Sequence, residues 1–150
     1  MQMSTKSRYA LRLLIDMAIN EGEDNVKIKD IAARQNLSPK YLEQIVTVLN
    51  KAGYVRSERG PQGGYRMVIK PRDITAGEIV RLFEGSTSPV PCLGVHPMPC
   101  ANEPVCCTRS LWKRMNDTVN EVLNGTTIQD MVDEAKKEGN PAVININCPE

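Results

Sequence analysis

A chain of 150 residues with 41% hydrophobic content is long enough for one ordinary domain, or a small module with helical appendages, and apolar enough to build a core. No run approaches ~18 consecutive apolar residues and no long apolar segment follows the N-terminus, which argues against a membrane span or secretory signal and leads us to expect a cytoplasmic protein. The net charge of +1 conceals an asymmetry. Residues 1–72 carry 13 Lys or Arg against 7 Asp or Glu, a net of +6, whereas the remainder carries 6 against 11, a net of −5. A division of this kind suits only the first part to a polyanion.

The first predicted helix runs from Lys6 to Asn20, with Ala10, Leu13, Leu14, Met17 and Ala18 on one face and Leu11 and Ile15 widening the stripe. Lys6 and Arg8 in its first turn have the wrong sign for the helix dipole, so either a phosphate sits nearby or they are two solvated cations. A short second helix containing Ile28, Ile31 and Ala32 should end near Asn36. The third begins with Ser38 as cap and Pro39 at the first helical position, carries Leu42, Ile45, Val46 and Leu49 at i, i+3, i+4 and i+7, and closes at Gly53. Next, YVRSER, GPQGG and YRMVI read as two strands around a glycine turn containing Gly63 and Gly64.

Helix, helix, helix, hairpin is the order of a winged helix-turn-helix, here over residues 1–72. A recognition helix reads base edges in the major groove from its first turns. There Gln44 suits adenine, Glu43 suits the amino group of cytosine, and Ser38 and Lys40 suit phosphate or guanine, with Tyr41 among them. Arg59, ahead of the wing turn, can reach the minor groove, and Gly63 and Gly64 in that turn are further candidate DNA contacts. Lys6 and Arg8 are further candidates for the phosphate backbone. The same residues would also suit a merely solvated polar face on an amphipathic helix.

A connecting helix is expected within 73–85. The segment 86–107 has no periodicity, and four of the five cysteines fall between Cys92 and Cys107. Gaps of seven residues between Cys92 and Cys100, and of five between Cys100 and Cys106, lack the close pairs of a structural zinc site. An irregular loop of this kind can hold an iron–sulfur cluster on Cys92, Cys100 and Cys106. The fourth ligand is open among Cys107, His96, Cys148 in the tail and a carboxylate of a partner subunit. Without metal, the same thiols could form a reversible disulfide or stay reduced. The cysteines are weaker support for a structural zinc protein that binds another protein, and weaker still for a thiol-exchange enzyme. Residues 108–138 read as dimerisation helices, with Trp112, Met115, Val119 and Val122 as the seam of a two-helix contact, followed by a tail at 139–150. The expected fold class is mainly α with a small β-hairpin wing, a winged helix-turn-helix domain plus a long C-terminal dimerisation helix.

The segments STKSRYALRLLIDMA, LSPKYLEQIVTVL, VRSERGPQGGY, ITAGEIVRLFEG and CCTRSLWKRMNDTVNEVLNGTTIQDM resemble the winged-helix regulators typified by IscR, NsrR and CymR, over about residues 1–132. The resemblance implies a homodimeric transcription factor, usually a repressor, that binds an imperfectly palindromic double-stranded DNA operator. It also implies an iron–sulfur cluster, 2Fe-2S in preference to 4Fe-4S, on Cys92, Cys100 and Cys106. In the IscR branch a histidine three residues after the third cysteine is the fourth ligand, and here that position is Arg109. In NsrR-like members an acidic residue near the start of the partner's first helix can ligate, and Arg8 stands in that neighbourhood. The CymR branch lacks the cysteines and answers to cysteine supply through a complex with a cysteine-synthesis enzyme, which is the second function the resemblance implies.

Overall fold

The computed structural model describes residues 2–20, 22 and 25–137, so Cys148 and the predicted tail lie outside the described residues. Helix α1 (Thr5–Asn20) buries Ala10, Leu13, Leu14 and Met17 completely, as the apolar spacing predicts. Helix α2 (Ile28–Gln35) stops at Asn36, whose φ of 52° is the left-handed conformation that asparagine tolerates better than most residues. Helix α3 (Pro39–Lys51) buries Leu42, Ile45, Val46 and Leu49. Pro39 occupies its first turn, and Ser38 takes the extended N-cap backbone without the side-chain capping bond expected of it. The Ser38 carbonyl instead accepts from the Tyr41 and Leu42 N–H groups at 3.1 Å each.

The end of α3 depends on Gly53. Its φ of 84° lets the Gly53 N–H reach the Asn50 carbonyl at 3.0 Å and the Tyr54 N–H reach that of Leu49 at 3.0 Å, a Schellman closure one residue beyond Ala52. The chain then enters strand β1 (Val55–Glu58), which pairs antiparallel with β2 (Gly64–Met67) in the register Val55 to Met67 and Glu58 to Gly64. Val55 and Met67 face the core. The second strand ends earlier than YRMVI suggests, because Val68 turns outward and is 56% exposed. Val26, in the connection before α2, bridges the other edge of β2, exchanging two backbone bonds with Tyr65 at 2.9 and 2.8 Å.

After a 3-10 turn at Pro71–Asp73, helix α4 (Ala76–Glu84) starts from a capping box: the Glu78 N–H donates to Thr75 Oγ1 at 3.2 Å and the Thr75 N–H to Glu78 Oε2 at 2.7 Å. The final helices are α5 (Arg109–Gly125) and α6 (Ile128–Lys137). A second reciprocal cap, Thr127 with Asp130, opens α6. The two caps stand side by side, since the Ala76 N–H donates to the Thr126 carbonyl at 2.8 Å and the Ile128 N–H to that of Ile74 at 2.9 Å.

This ladder turns α6 back onto α1, so Ile128 and Val132 join Ile74 and Ile79 in the same core as Leu13 and Leu14. The core therefore runs past residue 72 and takes in the buried face of α6. Helix α5 differs. It contains no buried residue, with Leu111, Met115 and Val122 exposed by 55, 40 and 61%. Trp112 and Val119 are half-buried. The expected architecture, mainly helical with a two-stranded wing, is the one observed.

Candidate nucleic-acid interface and thiol loop

Helix α3 presents Ser38, Lys40, Glu43 and Gln44 to solvent on the side opposite its buried stripe. Their side chains carry donors and acceptors of the kinds that pair with base edges and phosphates. Tyr41 is used differently: it is half-buried, its hydroxyl lies 2.9 Å from Thr5 Oγ1, and its ring meets the Tyr9 ring edge-on at 5.8 Å. These contacts hold α3 against α1.

That anchor begins a polar stripe that apolar periodicity does not show. Thr5, Tyr9, Arg12 and Asp16 follow at helical spacing on one face of α1. Arg12 lies over the Tyr9 ring at 5.2 Å, and donates through Nε to Gln35 Oε1 at 2.9 Å and through Nη2 to the Gln35 carbonyl at 3.0 Å. Asp16, only 3% exposed, accepts from Arg34 Nε and Nη2 at 3.1 and 2.5 Å, and from Gln35 Nε2 at 2.9 Å. Donation of the Arg34 guanidinium to the Asp16 carboxylate raises the Arg34 pKa above its ordinary value against the opposing effect of desolvation. This network fixes α2, and with it α3, against α1.

The first turn of α1 does not require an external anion. Glu84, the last residue of α4, accepts from the Ser4 N–H at 2.8 Å and from the buried Ser7 hydroxyl. The Ser7 and Ser4 bonds hold its carboxyl below the usual glutamate value. A carboxylate from within the chain thus complements a helix start that has no acidic residue of its own. Lys6 stays exposed, while Arg8 is half-buried with its Nε enclosed and lacking a hydrogen-bond partner among the described residues.

In the wing, Arg59 is exposed ahead of Gly60, whose φ is 113°. Gly63 and Gly64 serve the backbone: a Cβ at Gly63 would meet the Glu58 and Gly60 carbonyl oxygens at 2.7 Å, and one at Gly64 would meet that of Val26 at 2.7 Å. Asn25 braces the turn by donating to the Gln62 carbonyl at 2.9 Å.

The thiol loop leaves α4 at Gly85 and returns at α5, with short 3-10 turns at Pro91–Leu93 and Glu103–Val105. Cys92 and Cys106 are half-buried, Cys100 and Cys107 are exposed, and all four are free thiols. The Thr108 hydroxyl, 3.6 Å from Cys106 Sγ, is the largest influence lowering the Cys106 pKa, aided by the Thr108 and Arg109 backbone N–H groups and the Arg109 charge. Arg109, at the position of the IscR-type histidine, donates to Glu103 Oε1 at 2.6 Å. His96 is exposed and lines a separate open recess with Glu84, Pro91 and Met98. Among the described residues no three His, Cys, Asp or Glu side chains converge closely enough to hold one metal ion, and no helix is long and apolar enough to cross a membrane.

The sequence matches the Rrf2 family, described as an iron-dependent transcriptional regulator, over residues 3–134. It is 41% identical over 135 residues to the protein rrf2 of Nitratidesulfovibrio vulgaris, spanning 90% of this chain and 89% of that one. Identity with the HTH-type transcriptional regulator CymR of Bacillus subtilis is 45% over 131 residues, 87% of this chain and 89% of the relative. The solved structure of that CymR, the global cysteine regulator, superposes with a TM-score of 0.77 at 42% identity, over 89% of this chain and 98% of that one. The structure of T. potens IscR superposes with a TM-score of 0.74 at 38% identity, over 92% and 90%. The chain is a transcriptional regulator rather than an enzyme, and it belongs to the Rrf2 family.

Proposed function

We propose that the chain is a homodimeric repressor of palindromic operators whose DNA affinity follows an iron–sulfur cluster held by Cys92, Cys100 and Cys106. The observation that carries this reading is the placement of three free thiols in one loop that joins α4, bonded through Glu84 to the start of α1, to the apolar stripe of α5. The donor set fits such a group: thiolates are its ordinary ligands, Cys106 is biased toward thiolate, and only single 3-10 turns interrupt the loop. A bound cluster would supply a redox-active centre. Because the thiols do not converge in the folded loop, binding them together requires the loop to rearrange. Glu84 then offers a route from that movement to the seat of α3.

The exposed Leu111, Met115 and Val122, with Trp112 and Val119, form an α5 face suited to a second copy of the chain, which would set two recognition helices at a fixed spacing. Ser38, Lys40, Glu43 and Gln44 enter the major groove, Arg59 the minor groove, and Lys6 and Arg8 lie toward the phosphates. The cytoplasm is the compartment consistent with free thiols and DNA binding.

The 45% identity with CymR and the arginine at position 109 favour a second reading, a cluster-free regulator of cysteine metabolism that acts with a cysteine-synthesis enzyme. Anaerobic purification separates the two. The first predicts visible absorption with iron and sulfide in the protein; the second predicts a colourless, iron-poor protein after reconstitution. Zinc in place of iron would reject both.

A further inference from the structure

Helix α5 is fastened to the rest of the molecule along its C-terminal half. Its end is held by the ladder in which the Ala76 N–H donates to the Thr126 carbonyl at 2.8 Å, and its side meets chiefly α4 and the 3-10 turn at Pro91–Leu93. The α4 contact is made by hydrogen bonds. Arg81 donates through Nη1 to Asn120 Oδ1 at 3.3 Å and through Nη2 to Asn124 Oδ1 at 2.6 Å, and the buried Thr87, just past α4, donates to Asn120 Oδ1 at 3.1 Å. Asn120 and Asn124 stand one helical turn apart, so a single planar guanidinium spans both. Gly77 leaves room for this fork, since a Cβ there would meet Arg81 Nη2 at 2.8 Å.

We propose that Arg81 is a positioning residue for operator recognition: its fork onto Asn120 and Asn124 sets the angle of α5 against the DNA-reading unit, and with it the half-site spacing that the dimer selects. This inference rests on the homodimer reading above, in which α5 carries the two-fold contact. Helix α5 has no buried residue, and apolar contact is non-directional, so packing alone leaves its tilt loosely fixed. Two charge-assisted bonds from one rigid plane fix it. On its other side α4 is tied to α1 through Glu84 with Ser4 and Ser7, and α1 to α3 through Thr5 with Tyr41. A change of tilt at Arg81 therefore reaches α3, and the two-fold axis applies it once in each protomer. The spacing at which two half-sites are read follows from that geometry.

The test uses the full chain as wild type, Arg81→Gln, Arg81→Lys, which keeps the charge without the fork, and Asn124→Ala. A duplex enriched from a random pool by the wild type is remade with one or two base pairs added or removed between its half-sites, and as an isolated half-site. Titrations give the affinity for each duplex, and sedimentation gives the oligomeric state. The wild type should favour one spacing. Both Arg81 variants should cut that preference about tenfold, within the range by which residues between two sites alter their coupling, while dimer mass and affinity for the isolated half-site stay as in the wild type. Asn124→Ala should act in the same direction, more weakly. An unchanged spacing profile in all three variants would overturn the Arg81 assignment and leave the dimer standing. A uniform loss at every spacing, the isolated half-site included, would also overturn it, by showing that Arg81 supports only the fold. A monomeric wild type, or one that enriches a site without two-fold symmetry, would overturn both this inference and the reading beneath it.

Discussion

Replacing Asp16 with asparagine tests whether the polar stripe of α1 holds the DNA-reading unit together. The substitution keeps the shape but removes the charge, leaving one oxygen where two accept from Arg34 at 3.1 and 2.5 Å and from Gln35 at 2.9 Å, and it turns an amide donor toward those donors. Hydrogen bonds to charged groups contribute about 1.5–3 kcal/mol each and are not additive within one network. Arg34 remains 25% exposed and recovers part of its hydration. The net loss should be about 3 kcal/mol, a large share of a typical domain stability of about 5–15 kcal/mol. Urea unfolding should show a lower midpoint with an unchanged slope. A cycle with Arg34→Gln should give a coupling of about 1–3 kcal/mol. A loss below about 0.5 kcal/mol, the size of an ordinary surface change, would refute the claim that this contact fixes α2 against α1.

Glu84→Ala leaves the Ser4 N–H and the buried Ser7 hydroxyl without their acceptor and should cost about 1 kcal/mol in thermal unfolding. Because the Glu84 pKa is lowered from its ordinary 4.5, its stabilisation is present above that value and is lost as pH falls through the folded value; Glu84→Gln should therefore flatten the acid side of the stability profile. Gly64→Ala drives a Cβ against the Val26 carbonyl and should weaken wing and fold more than Gly77→Ala, where the obstacles are the movable ends of Arg81 and Asn124; urea midpoints rank the two. In operator titrations, Lys40→Ala should lower affinity uniformly and reduce the salt slope by about one. Gln44→Ala should instead cost about 1–3 kcal/mol and relax preference at one base position.

Apolar spacing and special backbone residues carried most of the fold. Leu42, Ile45, Val46 and Leu49, Pro39 at the start and Gly53 at the end locate α3 because each acts within a few residues. The Asp16 network was invisible for the opposite reason: its partners Arg34 and Gln35 lie on another helix, and a polar residue on a helix face reads as solvated until its distant neighbour is known. The same holds for Glu84, whose partners Ser4 and Ser7 are at the other end of the domain and give the start of α1 a carboxylate that its own first turn lacks. Helices α5 and α6 are both amphipathic, and periodicity alone does not say that one returns to the core while the other stays uncovered. The thiol loop was legible as a ligand set, but the half-burial of Cys92 and Cys106 beside the exposure of Cys100 and Cys107 depends on how the loop packs, which no local pattern encodes.

The most direct test of the account is operator affinity measured by fluorescence anisotropy on one anaerobic preparation, before and after cluster removal, with a triple alanine variant of Cys92, Cys100 and Cys106 alongside. A coupling of about 1–3 kcal/mol predicts affinities that differ about 5- to 150-fold between the two states of the wild type and not at all in the variant. Equal affinity in both states of an iron-loaded wild type would contradict the claim that these thiols govern DNA binding.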